Sequence, residues 1–162
     1  MVKWIKINKH MWFGLFGLGF AFLFMQELPY IIMPFIKLSS NPLMEMINAY
    51  PILEILEKVF IIGVIISMIL IVDDDSKWFS VSSLKEKVFF SISILLLLGY
   101  YIGWIFYFNG YQSLPLVLIL LVSLPPLYYT FIGLWRKNNV MAVLGGLSLF
   151  VHIANVWTSY GG

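Results

Sequence analysis

Polar side chains interrupt stretches of this sequence that are otherwise apolar, and these side chains are the ones that could do chemistry. They are Glu27, Glu54, Glu57, Lys58, His152 and Asn155. An ionisable group inside a membrane is costly, so its presence marks a functional site by default. Carboxylates attract cations, and Glu and His side chains can exchange protons with a bound molecule. We therefore take these six residues as the candidate ligand-binding set.

The composition indicates that most of this chain is surrounded by lipid. Of its 162 residues, 61% are hydrophobic and only 11% are charged, whereas a soluble domain has about 25% charged residues. So few polar side chains cannot cover a water-facing surface, which excludes an ordinary soluble enzyme and a disordered chain. A formal net charge of +2 is too small to favour nucleic-acid binding. The chain has no cysteine, which excludes disulfides and thiolate chemistry.

Five apolar segments are each long enough to cross a bilayer, whose hydrocarbon core requires about 20 helical residues. They cover residues 11–36, 51–72, 88–108, 114–135 and 140–157. The loops between them are too short to hold a second domain. The sequence therefore predicts one transmembrane domain over residues 1–162. Its predicted fold is an all-α integral membrane protein, a compact bundle of five transmembrane helices.

Two motifs predict where helices begin or bend. Ser83 and Glu86 have the spacing of a capping box, in which the side chain of each residue accepts a hydrogen bond from the backbone N–H of the other. A helix should therefore begin there. Pro125 and Pro126 lie midway along the fourth segment. Two successive prolines remove two backbone donors, which predicts a kink or a break in that helix.

Small residues spaced four apart predict close helix packing. Gly99 and Gly103 form one such pair, and Ala142 and Gly146 form another. Small side chains on one helix face let two helices approach closely within a membrane. These pairs favour a compact bundle, or contacts between copies of the chain.

Basic residues are shared unequally between the two sides of this five-span arrangement. Eight lie on the side of the N-terminus: Lys3, Lys6, Lys9, Lys77, Lys85, Lys87, Arg136 and Lys137. Of the loop residues on the opposite side, only Lys37 is basic. Cytoplasmic loops of membrane proteins are enriched in Lys and Arg. The N-terminus is therefore predicted to be cytoplasmic and the C-terminus extracytoplasmic, in a plasma membrane. Abundant Ile, Lys and Asn indicate a bacterial source.

This orientation places all the candidate residues in the outer half of the membrane. Glu27 lies in the outer half of the first span, and His152 and Asn155 lie in the outer half of the last. Glu54 and Lys58 lie near the outer start of the second span, in the i,i+4 order that favours a pair. We expect the candidate residues, with Glu57, to converge on a polar cavity in the outer leaflet half.

Each candidate residue also has a structural interpretation. Glu54, Glu57 and Lys58 fit a helix end at the level of the lipid headgroups, where charged side chains are ordinary. His152 fits a hydrogen bond to a neighbouring helix. Glu27 is the most informative residue, because it lies deep in an apolar segment with no basic neighbour in sequence. Its side chain must be protonated, paired with a group on another helix, or exposed to water.

Three functions fit this pattern. The first is a protein that binds, senses or transports a small cationic or amphiphilic ligand in the outer-leaflet cavity. The alternative is an accessory or immunity-type subunit that acts through helix contacts with a larger membrane protein, or with copies of itself. The third is a lipid-active enzyme that uses Glu27 and His152 as acid and base. No metal-ligand spacing occurs, so neither a metal nor another cofactor is expected.

Overall fold

The computed structural model describes residues 1–47, 49–73 and 79–160, most of which are helical. The helices are α1 (Gly17–Ile32), α2 (Pro51–Leu70), α3 (Leu84–Phe108), α4 (Leu114–Leu116), α5 (Leu124–Trp135) and α6 (Asn139–Ser159). A 3-10 turn, Met33–Phe35, follows α1, and π-helical turns, Val117–Val122, connect α4 to α5. Three antiparallel strands form one sheet in the order β1 (Val2–Lys6), β2 (Met11–Leu15) and β3 (Ile71–Asp73).

Within the described residues, four helical segments are long and apolar enough to cross a membrane: Gly17–Phe35, Leu84–Phe108, Leu114–Trp135 and Asn139–Ser159. They agree with the predicted helical membrane bundle. Helix α2 has 20 residues, a sufficient length, but every stretch of 18 residues within it contains the three charged residues Glu54, Glu57 and Lys58.

The N-terminal sheet is an addition to the predicted all-α bundle, since the rest of the described chain is mostly helical. Residues 11–15 were expected to begin the first membrane helix, but they form β2, and α1 begins only at Gly17. Likewise, the second span was predicted to end at residue 72, but residues 71–73 form strand β3. Asn8 shapes the turn between β1 and β2, because its Oδ1 accepts the backbone N–H groups of His10 and Met11, each at 2.9 Å. This side-chain turn competes with helix formation at the start of the apolar run.

The sheet is fastened to the helical bundle near the end of α5. The Arg136 guanidinium lies 3.9 Å above the ring of Phe16, the residue that joins β2 to α1. Its Nη2 also donates to the Met1 sulfur at 3.2 Å. Burial lowers the pKa of Arg136 to about 10, against the opposing effect of Asp73 and Glu86, so the guanidinium stays charged at neutral pH. A cation over an aromatic ring is stabilising, and more so when it is desolvated.

Both predicted helix signals are present. Ser83 and Glu86 form the capping box, and α3 begins at Leu84, as this motif predicts. The helical hydrogen-bond pattern changes just before the two prolines. There Ser123 donates to the Leu118 carbonyl from its backbone N–H at 3.0 Å and from its hydroxyl at 2.6 Å. This i,i−5 bond widens the helix into π-helical turns, which accommodates the missing N–H groups at Pro125 and Pro126.

Close approaches between helices occur where glycine leaves room. A Cβ on Gly103 would lie 2.6 Å from the Leu120 Cβ, so α3 contacts the π-helical turns at this point. A Cβ on Gly145 would lie 2.7 Å from the Thr130 hydroxyl and 3.1 Å from the Pro126 carbonyl oxygen. In contrast, a Cβ on Gly146 would meet nothing within 4 Å. The contact between α5 and α6 therefore uses Gly145, and not the Gly146 of the predicted pair.

Replacing Gly145 with alanine should destabilise the bundle by about 1–3 kcal/mol, the usual cost of overpacking. The reason is that the added methyl group would overlap backbone atoms of α5, which cannot rotate away. Thermal unfolding of the purified chain in detergent would measure the loss.

Gly146→Ala is the matched control, because it makes the same chemical change one residue further along α6. It should leave the unfolding temperature unchanged or raise it, since alanine favours a helix more than glycine does. Equal losses for the two variants would contradict the packing of α6 on α5 described here.

Candidate functional site

A cavity of about 220 Å³ lies between α1, α2, α5 and α6, next to the π-helical turns. Its polar lining residues are Gln26, Glu27, Tyr30, Glu57, Tyr129, Ser148 and His152. Val64, Leu121 and Pro125 contribute to its apolar wall. Three ionisable residues from three different helices thus line one cavity. Such a mixture of apolar walls and a few polar groups is typical of small-molecule sites.

Glu57 is held at the cavity by two residues of α6. Its Oε1 lies 2.8 Å from the His152 Nδ1, and the Asn155 side-chain amide donates to its Oε2 at 2.6 Å. The side chains of Glu57 and His152 are 16% and 19% exposed. His152 and Asn155 can both reach Glu57 because they lie one helical turn apart on the same face of α6. A hydrogen on Nδ1 serves this contact in both the neutral and the protonated imidazole.

Glu27 lines the same cavity from α1 and is half-buried. Among the described residues, no side chain forms an ion pair or a hydrogen bond with its carboxylate. Tyr30 lies one turn further along α1 and also lines the cavity. Its carboxyl group therefore has no counter-ion among the described residues that line the cavity. A group of this kind can receive a cation that enters the cavity.

Glu54 and Lys58 do not line the cavity. They form the predicted i,i+4 ion pair, and their side chains are 32% and 67% exposed respectively. On α2, residues 57, 61 and 64 face the cavity at helical spacing. Glu54 and Lys58 fall on the flank of that face, beside it. The structure thus brings Glu27, Glu57, His152 and Asn155 together, and leaves the Glu54–Lys58 pair outside.

Gln26 is a site residue that sequence analysis did not single out. It lines the cavity and is only 4% exposed. The Tyr129 hydroxyl donates to its Oε1, and its Nε2 donates to the Tyr100 hydroxyl at 3.3 Å. These two bonds join α1 to α5 and α3. The sequence did offer one signal for this site: a polar amide next to Glu27 in an apolar segment, with tyrosines available in two other apolar segments.

Hydrogen bonds hold residues 40–43, in the loop between α1 and α2, against the end of the bundle where α3 and α6 end. The Tyr107 hydroxyl donates to Asn41 at 2.8 Å and accepts from the Leu43 backbone at 3.1 Å. Ser40 donates to Gln112 at 2.9 Å. These contacts hold the bundle closed at the end nearest Glu57, so they restrain α2 in the position that brings Glu57 to the cavity.

The cavity residues do not form a metal centre. Among residues 1–47, 49–73 and 79–160, no three Asp, Glu or His side chains lie close enough together to hold a metal ion. Glu27 and the Glu57–His152 pair thus line one cavity without forming such a group. The arrangement suits a ligand of several atoms that reaches both groups.

No family model matches the sequence, and neither a curated protein nor a solved structure matches it.

Cysteines at positions 57 and 152 should crosslink readily with a short bifunctional thiol reagent, because the two native side chains are in hydrogen-bond contact. The chain has no cysteine of its own, so there is no background reaction. Mass spectrometry of the treated protein would measure the crosslinked fraction.

A cysteine pair at positions 54 and 152 is the matched control, since Glu54 lies one turn earlier on α2 and does not line the cavity. It should react much less with the same reagent. Equal crosslinking of both pairs would contradict the rotation of α2 described above.

Proposed function

We propose that this chain is a membrane protein that binds a small cationic amphiphile, for sensing or transport, in the cavity between α1, α2, α5 and α6. The observation that carries the proposal is the Glu27 carboxylate, which lines the cavity without a cationic partner in the described chain. A cation at this point would neutralise Glu27 in a setting of low dielectric constant, where charge pairing is strong.

The other lining residues define the rest of the ligand. Val64, Leu121 and Pro125 offer an apolar surface, and Tyr30 and Tyr129 add aromatic rings. Aromatic rings attract ammonium groups through the cation–π interaction. The volume of about 220 Å³ is below the roughly 300–1,000 Å³ of pockets for drug-sized molecules. The proposed ligand is therefore small: one apolar ring or short chain that carries one ammonium group.

We further propose that α2 crosses the membrane with the other four helical segments. Large apolar side chains follow one face of α2 along its whole length at spacings of three and four. They are Ile52, Ile55, Val59, Ile62 and Ile66, and each is at least half exposed. Such a continuous exposed apolar stripe fits lipid and would be unfavourable in water. Glu54 and Lys58 then lie at the headgroup level, where charged side chains are tolerated.

We also propose that the chain has the predicted orientation and lies in a bacterial plasma membrane. The sheet, the start of α3 and the start of α6 lie at one end of the bundle, together with Lys3, Lys6, Arg136 and Lys137. This end is proposed to be cytoplasmic. The cavity residues Glu57 and His152 then lie in the outer half of the membrane.

Five spans place the two termini on opposite sides of the membrane, whereas four spans would place them on the same side. Alkaline phosphatase is active only outside the cytoplasm. Fused after residue 162 it should therefore be active, and fused before residue 1 it should be inactive. Equal activity of the two fusions, normalised to protein amount, would contradict the five-span arrangement.

Benzyltrimethylammonium should bind to the detergent-solubilised chain, and Glu27→Gln should weaken its affinity by about tenfold. The expected size follows from about 1.5 kcal/mol for a lost charge-assisted contact. Isothermal titration calorimetry against empty micelles would measure both affinities.

Two controls isolate the charge. Neopentylbenzene has the same shape as benzyltrimethylammonium without the charge, so its affinity should be weaker and insensitive to Glu27→Gln. Glu54→Gln removes a carboxylate outside the cavity and should leave binding of the cation unchanged. Equal affinity of the wild-type chain for the two probes, or an equal loss in both variants, would contradict the proposal.

A further inference from the structure

The side chains around Glu27 determine whether its carboxyl group can carry a charge when no cation is bound. Within the described chain, no Lys or Arg side chain lines the cavity. The other ionisable side chains that line it are Tyr30 of α1, Glu57 of α2, Tyr129 of α5 and His152 of α6. Of these four, only the imidazole of His152 can be positively charged.

His152 does not serve as a counter-ion for Glu27, because it already contacts another carboxylate. Its Nδ1 lies 2.8 Å from the Glu57 Oε1. If the imidazole is protonated, the Glu57–His152 pair has no net charge, and if the imidazole is neutral, the pair is negative. Neither state favours a second carboxylate in the same cavity, since like charges oppose ionisation.

The uncharged polar side chains next to Glu27 have hydrogen-bond partners elsewhere. The Tyr129 hydroxyl donates to the Gln26 Oε1, and the Gln26 Nε2 donates to the Tyr100 hydroxyl of α3 at 3.3 Å. Most of the remaining lining is apolar. In such surroundings a carboxyl group without a counter-ion is more stable with a proton than with a charge.

We propose that a proton is a second ligand of this cavity, and that Glu27 holds it at neutral pH when no cation is bound. As a cation enters, the O–H bond of the carboxyl group breaks and the proton passes to water. The carboxylate left behind pairs with the cation, so the net charge of the cavity is the same before and after. The inference rests on the proposed cation binding and adds its regulation, since proton and cation compete for one carboxylate.

Isothermal titration calorimetry of the full chain in detergent tests this exchange at neutral pH. The probe is benzyltrimethylammonium, and the titration is repeated in phosphate and in Tris buffer. A released proton is taken up by the buffer, and these two buffers bind protons with different enthalpies. The measured binding enthalpies should therefore differ by the amount expected for about one proton per cation. The affinity should fall about tenfold for each unit by which the pH is lowered.

Four variants identify the source of the proton. Glu27→Gln has no carboxyl proton to release, so its weaker binding should give equal enthalpies in the two buffers. Glu27→Asp keeps a carboxyl group and should retain the release, which separates loss of the proton from loss of folding. Glu54→Gln changes a carboxylate outside the cavity, and His152→Gln removes the imidazole. Both should still release about one proton, and release that persists in Glu27→Gln would overturn the proposal.

Infrared spectroscopy detects the proton without depending on the cation. The wild-type chain at neutral pH should show the carbonyl band of a protonated carboxyl group, which Glu54→Gln retains and Glu27→Gln lacks. Absence of this band would overturn the proposal while leaving cation binding unaffected. Cation binding with equal enthalpies in the two buffers would do the same. No binding of the cation at any pH would overturn the proposed function as well.

Discussion

Hydrocarbon offers no water to a polar group, so a polar side chain between membrane helices needs its partner inside the protein. Glu57 meets this constraint through His152 and Asn155, which join α2 to α6. Gln26 meets it through two buried tyrosines, which join α1 to α3 and α5. Apolar packing alone would accept several helix arrangements, and these polar contacts select one. Glu27 departs from the rule within the described chain, which makes the cavity it lines the chemically distinctive region.

Features that depend on residues three or four apart were predictable from the sequence. The capping box of Ser83 and Glu86 and the pair of Glu54 with Lys58 follow from helical geometry alone. Which residues line the cavity depends instead on how each helix is rotated about its axis. That rotation is determined by the packing of the helix against all its neighbours. That rotation brings Glu57 to the cavity and leaves Glu54 beside it, although the two residues are one turn apart.

The sheet was not predictable for a related reason. Residues 11–15 are as apolar as the helix that follows them, so hydrophobicity alone gives no boundary at Gly17. Their strand structure depends on pairing with Ile71–Asp73, which lies far away in sequence. Gln26 was missed because its partners are also remote, on α3 and α5. In both cases the local sequence is ambiguous, and a long-range hydrogen bond resolves it.

The pairing of β2 with β3 has a consequence for the order in which the chain folds during synthesis. β1 and β2 are neighbours in sequence, so their hairpin can form early, whereas the third strand exists only after residue 73 has left the ribosome. Contacts between distant residues close a long loop and form slowly. Here that loop contains α1 and α2, and their proposed insertion into the bilayer would return the end of α2 to the side on which α1 begins. In that arrangement the sheet can be completed only when both helices have been inserted, and it then joins the two ends of the unit.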